Sequence, residues 1–146
     1  MKKLLFLIII SLMFSGCSLK NALNKDPLYE KTLKYTQRCQ INNSLETKAL
    51  IDVVYLNPLY PKLNKPSFLI GIYNDFNNTL NNVEFNLTIN DKTPKISTSI
   101  PNYILYKNFP FYNSWMSYYF VTKKTNQPYV IKYKSKHWGE CVIKFN

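Results

Sequence analysis

Several residue types on which catalytic sites depend are scarce in this 146-residue sequence. There is one histidine, His137, in a Lys-His-Trp turn where a solvated surface position is expected, and there are three glycines. The eight carboxylates are scattered, and no two lie within two positions of each other. Acid–base catalysis and metal sites need several such groups close together, and phosphate-binding loops need clustered glycines. We therefore expect no enzyme activity, no catalytic residue, no metal and no cofactor.

Arginine is also scarce, because Arg38 is the single arginine among nineteen basic residues. Proteins that read nucleic acids use arginine for bidentate contacts, so a nucleic-acid partner is not expected despite the net charge of +11. Nothing indicates a small-molecule substrate. The excess of lysine suits attraction to an anionic membrane surface. It also suits biased residue usage, because the chain holds eighteen asparagines, and lysine would then serve solubility alone.

No hydrophobic run is long enough to form a membrane-spanning helix. The longest, residues 4–14, has eleven residues with Ser11 as its one polar member, whereas a spanning helix needs about twenty. Lys2 and Lys3 precede this run. A short positive segment followed by a short apolar segment is typical of a secretory signal peptide.

The next four residues, Phe14-Ser15-Gly16-Cys17, resemble the lipobox of bacterial lipoproteins. The resemblance implies that residues 1–16 are removed and that Cys17 carries a diacylglycerol on its thiol and an acyl chain on its new amino group. Phe14 departs from the usual leucine of this motif. The alternative is an uncleaved apolar N-terminus whose cysteine is there by chance. The resemblance places the protein on a membrane of the cell envelope, and the lack of an aspartate after Cys17 favours the outer membrane.

The remaining chain has the size of one domain. Residues 17–25 are polar and predict a lipidated tether, and residues 26–146 predict the folded domain. With Cys17 assigned to lipid, Cys39 and Cys141 remain as an even pair. In an oxidising compartment a disulfide between them is the expected state, the alternative being two separate buried thiols.

The first element of the domain is predicted to be a helix. Asp26-Pro27 has the pattern of a helix start, with aspartate as the N-cap and proline at the first helical position. Leu28, Thr32 and Cys39 then fall on one helical face. We therefore expect an amphipathic helix over residues 27–40 with Cys39 facing the domain.

Seven short strands separated by turns are predicted to follow. They cover residues 49–56, 67–73, 83–90, 94–100, 115–122, 128–134 and 140–145. This pattern predicts an antiparallel β-sandwich of immunoglobulin-like type, in which the disulfide joins the helix to the last strand. Residues 73–89 also resemble small immunoglobulin-like modules of bacterial envelope lipoproteins, in which an asparagine-rich turn precedes a strand reading Val-x-Phe-x-Leu, here Val83, Phe85 and Leu87.

Aromatic residues make up half of the stretch from residue 103 to residue 120. Tyr118, Tyr119 and Phe120 lie on a predicted strand and are expected to be packed residues, not ligand contacts. Four others lie in the predicted loop 101–114, where they are either core residues or contacts for a ligand. This candidate binding loop contains Tyr106, Phe109, Phe111 and Tyr112.

Two asparagines lie in the pattern acid-x-Asn-x-Thr, namely Asn77 and Asn86. This resembles the extended acceptor of bacterial N-glycosylation, although chance is the alternative in a chain so rich in asparagine. Asn77 lies in a predicted turn and is the better acceptor.

Taken together, the sequence predicts a lipid-anchored module that binds another envelope protein or a glycan through a sandwich edge or the 101–114 loop. The alternative is a structural or accessory surface lipoprotein without a dedicated ligand.

Overall fold

The computed structural model describes residues 27–77, 79–101, 104 and 109–146. In them one short helix precedes eight strands: α1 Pro27–Lys34, β1 Thr36–Asn43, β2 Glu46–Tyr55, β3 Ser67–Asn74, β4 Phe85–Ile89, β5 Lys95–Ser97, β6 Ser117–Thr122, β7 Tyr129–Ser135 and β8 Glu140–Phe145. The predicted signal peptide, Cys17, the tether and Tyr106 lie outside these residues. None of the helical residues described is part of a segment long and apolar enough to cross a membrane.

The strands form two antiparallel sheets, as the sequence predicts. One has five strands in the order β1-β2-β3-β6-β5, and the other has three in the order β4-β7-β8. The main core lies between them. On β4 the period-two pattern buries Phe85, Leu87 and Ile89, and Phe85 stacks on Tyr133 of β7 with 5.4 Å between ring centroids. The architecture is therefore a mainly β, sandwich-like fold.

The helix is shorter than predicted. It ends at Lys34, where the Thr36 hydroxyl donates to the carbonyl of Thr32 at 2.7 Å. Residues 36–43 then form β1, an eighth strand that pairs with β2 along its whole length. Local helical spacing predicts a continuing helix here, but the pairing with a neighbouring ten-residue strand is a non-local interaction and prevails.

Cys39 therefore lies on a strand and not on a helix, which corrects the predicted geometry of the cysteine pair. It still faces the main core, and the sulfur atoms of Cys39 and Cys141 are within bonding distance, with their Cα atoms 5.9 Å apart. The pair joins β1 to β8, which are edge strands of different sheets. The Gln37 amide also donates to the carbonyl of Lys144 at 2.7 Å. One side of the sandwich is thus closed.

A second apolar cluster covers the outer face of the five-stranded sheet. Its buried members come from β2, β3 and the connections that fold over them, and they are Val54, Leu56, Leu69, Ile104 and Phe109. The Tyr118 ring crosses this face above Gly71, where an added Cβ would lie 2.8 Å from Tyr118 Cε1. Tyr118 and Phe120 pack on this cluster and Tyr119 packs on the main core, as predicted for the three strand aromatics.

The two ends of the sandwich differ in the chain segments that they hold. The chain enters β1 at Thr36, and we call this end the tether end. It contains α1 and the connections 56–66, 90–94 and 123–128. The opposite, distal end contains the turn 44–45, the connection 75–84 and the turn 136–139. Tyr55 contacts both Tyr129 and Phe145, which aligns the tether ends of the two sheets.

Candidate binding surface at the distal loops

Asparagine side chains hold the distal connection 75–84 in one conformation. The Asn74 Oδ1 atom accepts from the backbone N–H groups of Phe76 and Asn77, and its amide donates to the Tyr133 hydroxyl at 3.3 Å. Asn82 Oδ1 accepts from two further N–H groups at the start of β4. Asparagine suits such sites because its short side chain bonds nearby backbone groups. The asparagine-rich turn is therefore a hydrogen-bonded scaffold.

A lysine joins three distal segments. Lys48 lies at the bulge where β2 has one residue more than β1, and its Nζ atom is 2.9 Å from Glu46 Oε2 and 3.0 Å from Asp75 Oδ2. The same ammonium group is 5.2 Å from the centroid of the Trp138 ring. Hydrogen bonds that Lys48 donates to the two carboxylates raise its pKa, so it remains charged. The β1–β2 turn, the 75–84 connection and the 136–139 turn therefore meet at one side chain.

Glu84 makes the second connection between these segments. Its carboxylate accepts a short hydrogen bond from the Ser135 hydroxyl and lies 3.5 Å from Nε2 of His137. The Ser135 hydroxyl oxygen in turn accepts from the backbone N–H groups of His137 and Trp138. The Ser135 hydrogen bond is the main cause of the lowered pKa of Glu84. An ionised carboxylate thus orders the 136–139 turn.

Large apolar side chains project from this scaffold into solvent. Four residues, each adjacent in sequence to one of the ion-paired or hydrogen-bonded residues, have exposed fractions from 38% to 102%. We call them the distal tip: Leu45, Phe76, Val83 and Trp138. A folded chain gains nothing from holding such side chains in water, and exposed apolar groups on an ordered frame are typical of a contact surface.

The structure separates the residues of the predicted binding loop. Phe109 is buried in the second cluster and packs edge-on against Tyr118, so it is not available to a ligand. Phe111 is half-buried, and the Arg38 guanidinium carbon lies 4.2 Å from its ring centroid. Tyr112 is exposed beside Tyr118. Of the described members, Tyr112 alone is exposed, at 48%.

Arg38 itself is held by a buried acid. Its Nε atom is 2.6 Å from Asp52 Oδ1 and its Nη2 atom is 2.8 Å from Oδ2, a bidentate pair in which the Asp52 side chain is 0% exposed and that of Arg38 44%. Hydrogen bonding to Asp52 raises the pKa of Arg38. Because Phe111 lies against the guanidinium, this pair positions the loop that covers the outer face of the sheet.

Sequence reasoning missed the distal tip for identifiable reasons. Val83 alternates in step with Phe85 and Leu87, which predicts that it shares their inward face, but β4 begins only at Phe85 and Val83 is exposed. Phe76 and Trp138 stand alone in polar turns. What these residues share in the sequence is a large apolar side chain next to an acid or histidine in a turn, and this pattern alone is weak evidence for a binding surface.

The two asparagines of the acid-x-Asn-x-Thr pattern have different environments. Asn77 lies in the ordered turn with its side chain exposed, and its Oδ1 atom accepts from both the N–H and the hydroxyl of Thr79, at 3.1 and 2.6 Å. Asn86 is exposed on the outer face of β4, where it is paired in register with Lys134. An acceptor in a turn is easier for an enzyme to reach than one within a paired strand.

The described residues hold no group of three or more histidines, cysteines or carboxylates that could bind a metal ion. His137 lies in an exposed turn, as predicted, with Glu84 as its acidic neighbour. Comparison of the chain with protein-family models, with curated protein sequences and with solved structures finds no match in any of the three.

Proposed function

We propose that this chain is a lipid-anchored module of the bacterial cell envelope that binds a partner protein through its distal tip. The observation that carries the proposal is the placement of four exposed apolar side chains on interlocked loops at the end opposite the tether. In the anchored state, a lipid on Cys17 holds the tether end near a membrane and leaves the distal tip free to meet a partner.

The strand order supports an immunoglobulin-like assignment within this proposal. Strands β2, β3, β6 and β5 follow the order A, B, E and D of a constant-type domain, and β4, β7 and β8 follow C, F and G. Strand β1 is then an additional edge strand. The distal connections 75–84 and 136–139 correspond to the B–C and F–G loops, the end through which immunoglobulin variable domains bind.

The chemistry of the distal tip favours a protein over a glycan. Leu45 and Val83 are branched aliphatic residues, which have no flat face to stack on a sugar ring, whereas Phe76 and Trp138 suit either partner. Protein interfaces combine aromatic and aliphatic anchors around a polar rim. Here the polar rim would come from Glu46, Lys48 and their neighbours.

Photo-cross-linking in intact envelopes tests the partner. A photoreactive amino acid replaces Leu45 or Val83, with Val142, an exposed residue on the outer face of β8, as the matched control position. We expect one discrete adduct from the tip positions and none from the control. Phe76→Ala should weaken binding of the captured protein about 30-fold, the effect of losing a 2 kcal/mol anchor.

Three outcomes would contradict parts of this proposal. Equal capture from Val142 would remove the tip as the site, and binding of isolated envelope polysaccharide that Phe76→Ala abolishes would indicate a glycan. No adduct at all would favour an accessory lipoprotein without a dedicated ligand. The anchor is tested separately, since Cys17→Ala should lose acylation by mass spectrometry and leave the membrane fraction.

A further inference from the structure

The charged side chains of the domain are unevenly divided between its two ends. In the described residues, the tether end has nine lysines and two carboxylates, a net formal charge of +7. The distal end has three lysines and four carboxylates, a net charge of −1. The tether-end lysines are Lys31, Lys34, Lys62, Lys65, Lys92, Lys95, Lys123, Lys124 and Lys144. Biased residue usage alone does not explain a separation along the long axis of the molecule.

The acids at the tether end do little to offset its lysines. Asp91 is paired with Lys132, whose Nζ atom is 2.6 Å from its carboxylate and which is not among the nine. Glu30 is the other acid. Eight of the nine lysines are exposed, and the ninth, Lys123, donates to the carbonyl of Thr93 at 2.9 Å. The end is therefore strongly basic and open to solvent.

Apolar side chains are exposed between these lysines. Tyr29 and Leu33 are spaced i, i+4 on α1 and are more than one third exposed. Thr32, on another face of the helix, lies beside Leu59 and Tyr60, which brings the helix next to the 56–66 connection. Segments that lie at the surface of an anionic membrane typically combine lysines with exposed aromatic and leucine side chains, as this end does.

The distance to the proposed anchor fits this surface. Pro27 follows Cys17 by ten positions, so the helix lies at most about 35 Å from the lipidated residue along an extended chain. Strand β2 has ten residues, so the distal tip lies about 30 Å farther from a membrane beneath the tether end. That separation is about four Debye lengths at physiological salt, so the negative surface potential of the membrane acts on the tether end and not on the distal tip.

We propose that the tether end docks on anionic phospholipid headgroups and so orients the domain with its distal tip away from the membrane. This inference rests on the proposed lipid anchor at Cys17. Docking brings Lys62, Lys65 and Lys124 into the headgroup layer and leaves Lys134 and Lys136 in water. The lipid attaches the chain to the membrane, and the basic end sets the orientation of the domain.

Lysine labelling on vesicles tests the orientation. The acylated full-length protein is reconstituted into phosphatidylcholine vesicles with or without about one third phosphatidylglycerol, pulsed with a water-soluble amine-acylating reagent and analysed by mass spectrometry. A surface potential of about −30 mV concentrates protons about threefold, so labelling at Lys62, Lys65 and Lys124 should fall at least about threefold on anionic vesicles. Labelling at Lys134 and Lys136 should not change. High salt should remove the difference.

Paired variants complete the test. Lys62→Glu/Lys65→Glu should abolish protection at Lys124, whereas Lys134→Glu/Lys136→Glu should retain it. Equal labelling on both vesicle types, or protection of the distal lysines, would overturn the orientation while flotation with the vesicles still supports the anchor. Failure of the wild-type protein to float would overturn the anchor and, with it, this inference.

Discussion

The buried pair of Arg38 and Asp52 allows a prediction in which the size of the stability loss depends on which partner is removed. Arg38→Ala leaves a carboxylate that is 0% exposed without its bidentate partner. Loss of one member of a buried ion pair costs about 3–5 kcal/mol, and we expect about 3 kcal/mol here because the arginine side of the pair is open to water. Asp52→Asn leaves only a partly solvated guanidinium and should cost about 1 kcal/mol.

The double variant separates this explanation from a simple loss of contacts. If the buried charge causes the damage, Arg38→Ala/Asp52→Asn should be more stable than Arg38→Ala alone by about 2 kcal/mol, because the amide is neutral. Urea unfolding followed by tryptophan fluorescence measures all four proteins. If Asp52→Asn failed to rescue Arg38→Ala, the assignment of a charge-based role would be refuted.

Two further predictions concern the cysteines and the asparagines. Cys39 and Cys141 are 102 positions apart, so in the chain-entropy treatment Cys39→Ser/Cys141→Ser should lower the free energy of unfolding by about 4–5 kcal/mol. Reduction should lower the stability of the wild type to a similar level. Free thiols in the purified protein, detected by alkylation, would contradict this. In a bacterium with an oligosaccharyltransferase for acid-x-Asn-x-Thr, Asn77→Gln should abolish the glycan mass increment and Asn86→Gln should not. The reverse result, or no increment in the wild type, would show that the ordered turn is not the acceptor.

Strands with strong alternation could be predicted from sequence, and segments with competing patterns could not. Residues 85–89 and 140–145 alternate cleanly and form β4 and β8. Residues 36–40 satisfy helical spacing through Cys39, but their pairing with β2 depends on residues that follow in the chain and prevails over the local pattern. Cys39 and Cys141 are close enough to form the predicted disulfide. This part of the prediction requires only that both side chains face the core, and Cys39 faces the core from the strand as it would from the predicted helix.

The candidate site was harder to predict because sequence does not distinguish a covered aromatic from an exposed one. Phe109 and Tyr112 lie three positions apart in the same aromatic stretch, yet one is buried and the other exposed. The difference arises because the connection folds over Gly71, whose missing side chain leaves room for Tyr118 and, beside it, Phe109. A contact between a β3 glycine and a distant loop leaves no local pattern in the sequence.

The position of the cysteine pair fits the proposed anchoring. In the anchored state, any pull on the lipid reaches the domain through α1 and then β1, an edge strand whose sheet partner is β2. Hydrogen bonds to one neighbour alone would let such a strand peel away from its free end. Cys39 lies three positions after Thr36, where β1 begins. A bond to Cys141 therefore passes the load to the second sheet before more than the first three residue pairs of β1 with β2 are stressed. A disulfide at the centre of the sandwich would leave β1 unprotected, whereas a disulfide between β1 and β8 secures the first strand after the proposed tether.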